Sequence, residues 1–187
     1  MHWIANPETR GFKSLPVLHN KGDNMRKSIN IDEVREYILA QSPETRIYIG
    51  GDSERIRVDG KQFVDYTLAI VVHIDGNHGC KIFGEVQREP DYDYKKDRPR
   101  MRLMTEVYKI AELYQKFHDV LEDRHVEVHL DINPNERHGS SCVINEAVGY
   151  IKGTCNVIPL VKPNAWAAST CADRLKEVLD LQNKRAA

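Results

Sequence analysis

Three runs of β-type sequence stand back to back in the first half of the chain, and nothing else limits its fold so strongly. They are 46–52, 62–74 (QFVDYTLAIVVHI) and 80–88 (CKIFGEVQR). β-Branched and aromatic residues fill them, and the links between them are short and contain glycine, as in DGNHG at 75–79. A parallel pair needs a long crossover, which such links cannot supply. The three strands are therefore expected to form an antiparallel meander.

The period then changes. Between 101 and about 118, Leu103, Met104, Val107, Ile110, Ala111 and Tyr114 recur at spacings of three and four, as on one face of a helix. VEVHLD (126–131) reads as a fourth strand. A helix follows, capped by Ser140 or Ser141, reaching about 152 and stopped by Gly153. NVIPLV (156–161) reads as a fifth strand, with Pro159 pointing to a sheet edge. Residues 165 to about 182 predict a last helix, with Ala167, Cys171, Leu175, Val178 and Leu179 on one stripe. Ahead of the meander, Asn30 can cap a short helix with Glu33 in the reciprocal position and Val34, Tyr37 and Ile38 on one face. Residues 1–28, with Pro7, Gly11, Pro16 and Gly22, are expected to be an arm without regular structure, and 29–187 to be one domain. A chain of 187 residues can bury a full core.

The net charge of −1 gives no global basic field, so any contact with nucleic acid must be local or made through bound cations. The four cysteines, at 80, 142, 155 and 171, form no CxxC pair and read as free thiols of a reducing compartment. No stretch has the length of a signal sequence or a membrane span, so the expected location is the cytoplasm, with no membrane partner.

Two acids end strands. In IYIGGDSE (47–54) an apolar run meets two glycines and then Asp52; in VEVHLD the run ends on Asp131. Ligands of mixed α/β sheets bind beyond the carboxyl ends of the strands. If these two strands lie side by side and parallel, both carboxylates meet at one sheet end. Glu106, early in the 101–118 helix, and Asp173, in CADRL of the last helix, would flank them. Gly50 and Gly51 allow either a close approach to the backbone beside Asp52, for which a metal-bound phosphate is a candidate, or a bulge; alternatively Gly50 packs beneath a helix.

The sequence of element and acid, together with IYIGGDSE, HLDINPNE, INEAVGYIKG and VKPNAWAASTCADRL, resembles the ribonuclease H-like superfamily over about residues 30–180. Within it the chain looks most like the YkuK-type branch of bacterial and phage proteins. The resemblance implies a mixed five-stranded sheet of order 3-2-1-4-5 flanked by helices. It implies Asp52, Glu106, Asp131 and Asp173 as ligands of two Mg²⁺ or Mn²⁺ ions and as the catalytic acids of a nuclease. Two such ions about 4 Å apart can activate water and stabilise the leaving oxyanion of a phosphodiester. The partner so implied is DNA, RNA or a hybrid.

Several residues are candidates for holding that substrate. The run YKKDRPRMR, with Lys95, Lys96, Arg98, Arg100 and Arg102, leads into the helix of Glu106 and could grip phosphates. Lys162 and Trp166 flank the start of the last helix, where Trp166 could stack a base or pack in the core. Ser53 and Asn133 follow the two strand-end acids. His129 alternates with Asp131 and shares its face; His138 lies in a loop. Two other functions remain open. Asp52-Ser53-Glu54 has the Asp-x-Glu spacing of proofreading-type exonucleases, with Glu54 then a ligand. A catalytically silent fold that binds nucleic acid or a protein partner would carry the same acids.

Overall fold

A computed structural model describes residues 28–76, 78–93 and 99–171, Leu175, and the backbone of 2–5 and 12–14. Asn30 opens the first helix, α1 (Ile31–Leu39), by accepting the Glu33 amide on Oδ1 at 3.2 Å. Val34 and Ile38 on its inner face are fully buried, and Tyr37 is partly so.

The sheet forms around a long hairpin. Two short strands at the N-terminus, β1 (His2–Ala5) and β2 (Phe12–Ser14), precede it in the chain. The hairpin itself is β3 (Arg46–Val58) and β4 (Lys61–His73), joined by Asp59 and Gly60, both with positive φ as a tight primed turn requires. β5 (Cys80–Pro90) pairs antiparallel with β4 and completes the meander. β6 (His125–Leu130) adds to the other side of β3 in parallel, and the two-residue β7 (Leu160–Val161) adds in parallel to β6 at the sheet edge. The order from β5 is β5-β4-β3-β6-β7, which is 3-2-1-4-5 counted from Arg46. This is the expected α/β sheet, with the meander antiparallel and the Pro159 strand at the edge.

Four expectations are corrected. The arm is not without regular structure, since β1 pairs with β2 and, through Trp3↔Cys80, with β5. β3 does not stop at Asp52; Ile56 and Val58 alternate with Arg55 and Arg57, and that period of two carries the ladder to the turn. α3 (Ile144–Cys155) is preceded by a 3-10 turn at Gly139–Val143 without a serine side-chain cap. It runs through Gly153 and ends on Asn156, whose left-handed φ of 56° does the work assigned to glycine. The fifth strand shrinks to Leu160–Val161 because only those residues reach β6. Of the last predicted helix, Ala167–Cys171 forms a π-helical turn. Residues 172–174 and 176–182, including Val178 and Leu179, and the side chain of Cys171 lie outside the described residues.

The two sheet faces differ. Ile47, Ile49, Leu68, Ile70, Val128 and Leu130 meet α2 (Arg100–Leu121), α1 and α3 in one large apolar core. The opposite face holds a small cluster, Tyr48, Val71, Cys80 and Ala167, with Trp166 packed against it.

Candidate functional site

The ladder between β3 and β6 pairs Gly50 with His129 and Gly51 with Leu130, so the next positions in the parallel register are Asp52 and Asp131. Both expected acids thus stand just past the last parallel pair of β3 and β6, Asp131 directly after β6 and Asp52 midway along β3. Alternation sets their face. Gly51 and Leu130 belong to the α2 side, where a Cβ on Gly51 would come 3.3 Å from Ile110. Positions 52 and 131 therefore fall on the opposite side, with Gly50, His129 and the 166–171 segment.

Glu106 approaches from the α2 side. Its neighbours Leu103, Val107 and Ile110 bury that helix face, and Glu106 is 1% exposed. The Ser53 hydroxyl donates to its Oε2 at 2.6 Å. Arg102, one turn earlier on α2, donates from Nη1 to the carbonyl of Ser53 and, at 3.2 Å, to its Oγ. Burial pushes the Glu106 carboxyl up to about 8, and the charges of Asp52 and Asp131 push the same way, while the Ser53 bond and Arg102 oppose them. Three acids read from sequence are thus brought within electrostatic reach of one another. Asp173 lies outside the described residues.

The glycines of IYIGGDSE answer to packing. A Cβ on Gly50 would come 3.0 Å from the Ala168 amide nitrogen, and one on Gly51 would come 2.9 Å from the Thr67 carbonyl. Gly50 makes room for the backbone of the 166–171 segment and Gly51 for β4 and α2, not for a phosphate.

The other candidates spread out. Lys162 places Nζ 2.7 Å from Asp131 Oδ1. Ser53 is buried against Glu106. Asn133 shapes its loop, its Oδ1 accepting the Asn135 amide and its own amide donating to Ser140 Oγ. Trp166 stands edge-on to Tyr48 and His129, at 4.6 and 5.6 Å between ring centres. Arg100 pairs with Glu146. Glu54 is exposed, on β3 beyond Asp52. Lys95, Lys96 and Arg98 lie outside the described residues. Sequence reasoning put Arg102 in the phosphate-gripping run and missed its bond to Ser53; its position four residues before Glu106 was the available signal.

The donor set suits a hard divalent cation, being carboxylate oxygen throughout. Among the described residues, however, no three His, Cys, Asp or Glu side chains converge tightly enough to hold a metal ion by themselves. Among the described residues no helix is long and apolar enough to cross a membrane.

A mixed sheet of this order, with acids where the pairing of its two central parallel strands ends and a third on the helix after the meander, defines a class of nucleic-acid-related α/β folds. The chain matches the family model described as Ribonuclease H-like over residues 30–177, and it belongs to that family. No curated protein and no solved structure matches it.

Proposed function

We propose that the protein is a metal-dependent nuclease hydrolysing phosphodiester bonds in nucleic acid. The observation that carries this reading is the β3–β6 register, which sets Asp52 beside Asp131 on one face of the sheet end. The buried Glu106 stands within their electrostatic reach. Asp52, Glu106 and Asp131, with Asp173 from the C-terminal segment, would hold two Mg²⁺ or Mn²⁺ ions. When bound, such ions supply an activated water and charge compensation for the leaving oxygen. The chain's own residues prepare the site. Ser53 donates to the buried Glu106 carboxyl and is itself held by Arg102, and Lys162 pairs with Asp131, which a bound cation would have to take from it. Lys95, Lys96 and Arg98 would draw the phosphate backbone toward the sheet end.

A second reading has its own support. Glu106 and Asp131 are already engaged, by Ser53 and Lys162, as they would be in a silent fold that only binds nucleic acid or a protein. A cleavage assay on duplex, single-stranded, hybrid and branched substrates with Mg²⁺ or Mn²⁺ separates the two. Cleavage that needs the metal and disappears in Asp52→Asn supports the nuclease. Binding of the same substrates without cleavage, unchanged in Asp52→Asn, supports the silent fold.

A further inference from the structure

Strand β4 carries a polar side chain that its packing does not account for. Thr67 is fully buried, and among the described residues its Oγ1 has no hydrogen-bond partner. Its neighbour Leu68 belongs to the α2 core, so Thr67 faces the other side of the sheet, the side of Asp52 and Asp131. There it is the register partner of Asp52 on β3 and of Val86 on β5. Directly opposed residues of an antiparallel pair hold their Cβ atoms about 4.5–5.5 Å apart. Rotation of the two side chains is enough to bring hydroxyl and carboxylate together. The other described neighbours on this face are different. Val86 and Ala69 are apolar, Asp65 is held by Arg88 through two bonds of 2.6 and 2.5 Å, and Glu54, diagonally across, is exposed.

Folding alone would favour valine at this position. Valine has the same branched shape and suits a strand equally well. A hydroxyl that is buried without a partner costs the fold the water it has given up. Buried polar groups are nearly always bonded, so one that is not calls for a reason outside packing. The reason nearest to hand is the acid directly across the ladder.

We infer that Thr67 is a positioning residue for Asp52: its hydroxyl donates to one carboxylate oxygen when the other turns to a divalent cation. The inference rests on the reading of Asp52 as a metal ligand and calls on no other acid of the site. Thr67 touches neither metal nor substrate in this account; it acts through Asp52. A carboxylate held on one oxygen presents the other in a fixed direction, and a group that orients a ligand in this way typically changes metal affinity by roughly 10–100-fold. The cost of the bare hydroxyl to the metal-free fold is then offset when the cation binds.

The test is Mn²⁺ titration calorimetry on the full chain, paired with denaturant unfolding in chelator. Thr67→Val is expected to hold or raise the unfolding midpoint of the metal-free protein, because the bare hydroxyl is gone. The same change should weaken Mn²⁺ binding by roughly tenfold or more. Thr67→Ser, which keeps the hydroxyl and loses the methyl group, should retain most of the affinity even where its midpoint falls. A lower midpoint for Thr67→Val, or failure of that variant to fold, would show that the hydroxyl serves the fold and would overturn the inference. So would a loss of affinity as large in Thr67→Ser as in Thr67→Val. Mn²⁺ binding that falls in Asp52→Asn but not in Thr67→Val would sink the inference alone. Binding unchanged in Asp52→Asn would sink the reading of Asp52 as a ligand and the inference with it, and absence of binding in wild type would sink both this inference and the nuclease reading. Mn²⁺ binding without cleavage would sink only the nuclease reading.

Discussion

The two faces of the central sheet solve the same problem with different materials. On the α2 side, wide apolar side chains from β3, β4 and β6 interlock with three helices, and the acid on that side, Glu106, is dry. On the other side the sheet offers glycine and alanine, so a backbone segment can lie close, and polar contacts from His129 fix it in place. The first face is held by area and is tolerant of sequence provided volume is kept. The second is held by a few directional contacts, and each of them matters. Asp52 and Asp131 belong to the second face, and the third acid reaches them from the first.

The largest effect should come from the acid on the dry face. Glu106→Gln keeps the volume and the Ser53 contact but removes the charge. On a substrate that wild type cleaves, it is expected to lose activity by orders of magnitude, since metal charge stabilisation is worth several kcal/mol and about 1.4 kcal/mol is tenfold in rate. Glu54→Gln, on exposed strand, should stay within about tenfold of wild type. Steady-state cleavage rates decide it; the reverse ranking would move the site to Asp52 and Glu54 and restore the exonuclease alternative.

The glycine pair probes the faces directly. Gly51→Ala drives a methyl group toward the Thr67 carbonyl within the ladder and toward Ile110, so overpacking should cost about 1–3 kcal/mol in denaturant unfolding. Gly50→Ala meets the Ala168 backbone and the His129 carbonyl, with no large core side chain among its nearest neighbours, and its global cost should be smaller. Equal costs would mean the two faces are equally rigid.

The pH response of metal-free protein tests the burial of Glu106. Its carboxyl titrates near 8 in the fold against 4.5 ordinarily, so the folded state holds a proton that the unfolded chain has released between those values. The stabilisation is complete below about 4.5 and is lost as pH rises through about 8. Melting temperature in chelator should therefore fall from pH 6 to 9 more steeply for wild type than for Glu106→Gln. Identical slopes would show that Glu106 is more hydrated than its packing implies.

The smallest effect is expected at Lys162. Its pair with Asp131 is open to solvent on the lysine side, so Lys162→Met should change stability by no more than about 1 kcal/mol. It should nevertheless tighten Mn²⁺ binding, because the competing cation is gone. Weaker binding would instead make Lys162 an organiser of the site.

Much of this was legible in the sequence because periodicity is local. The meander, the α2 stripe from Leu103 to Tyr114 and the strand before Asp131 each announce themselves within a dozen residues, and the succession of those elements with their acids led to the ribonuclease H-like family. The length of β3 was masked because Ser53-Glu54-Arg55 reads as a turn, although Ile56 and Val58 carry the strand period. The end of α3 was misassigned because Gly153 looks like a stop, while Asn156 takes the left-handed position.

What the sequence determined alone was which segments are strands and helices and which acids follow their apolar runs, since both depend on neighbours a few positions apart. Only the tertiary structure decided that Gly50 and Gly51 serve packing on opposite faces, that Ser53, itself held by Arg102, donates to Glu106, and that His129 accepts the Ala167 amide. Those contacts join residues 16 to 118 positions apart in the chain. Gly50 and His129 share one neighbourhood because parallel register places β6 beside β3, and pairing across a crossover leaves no periodic trace in either strand.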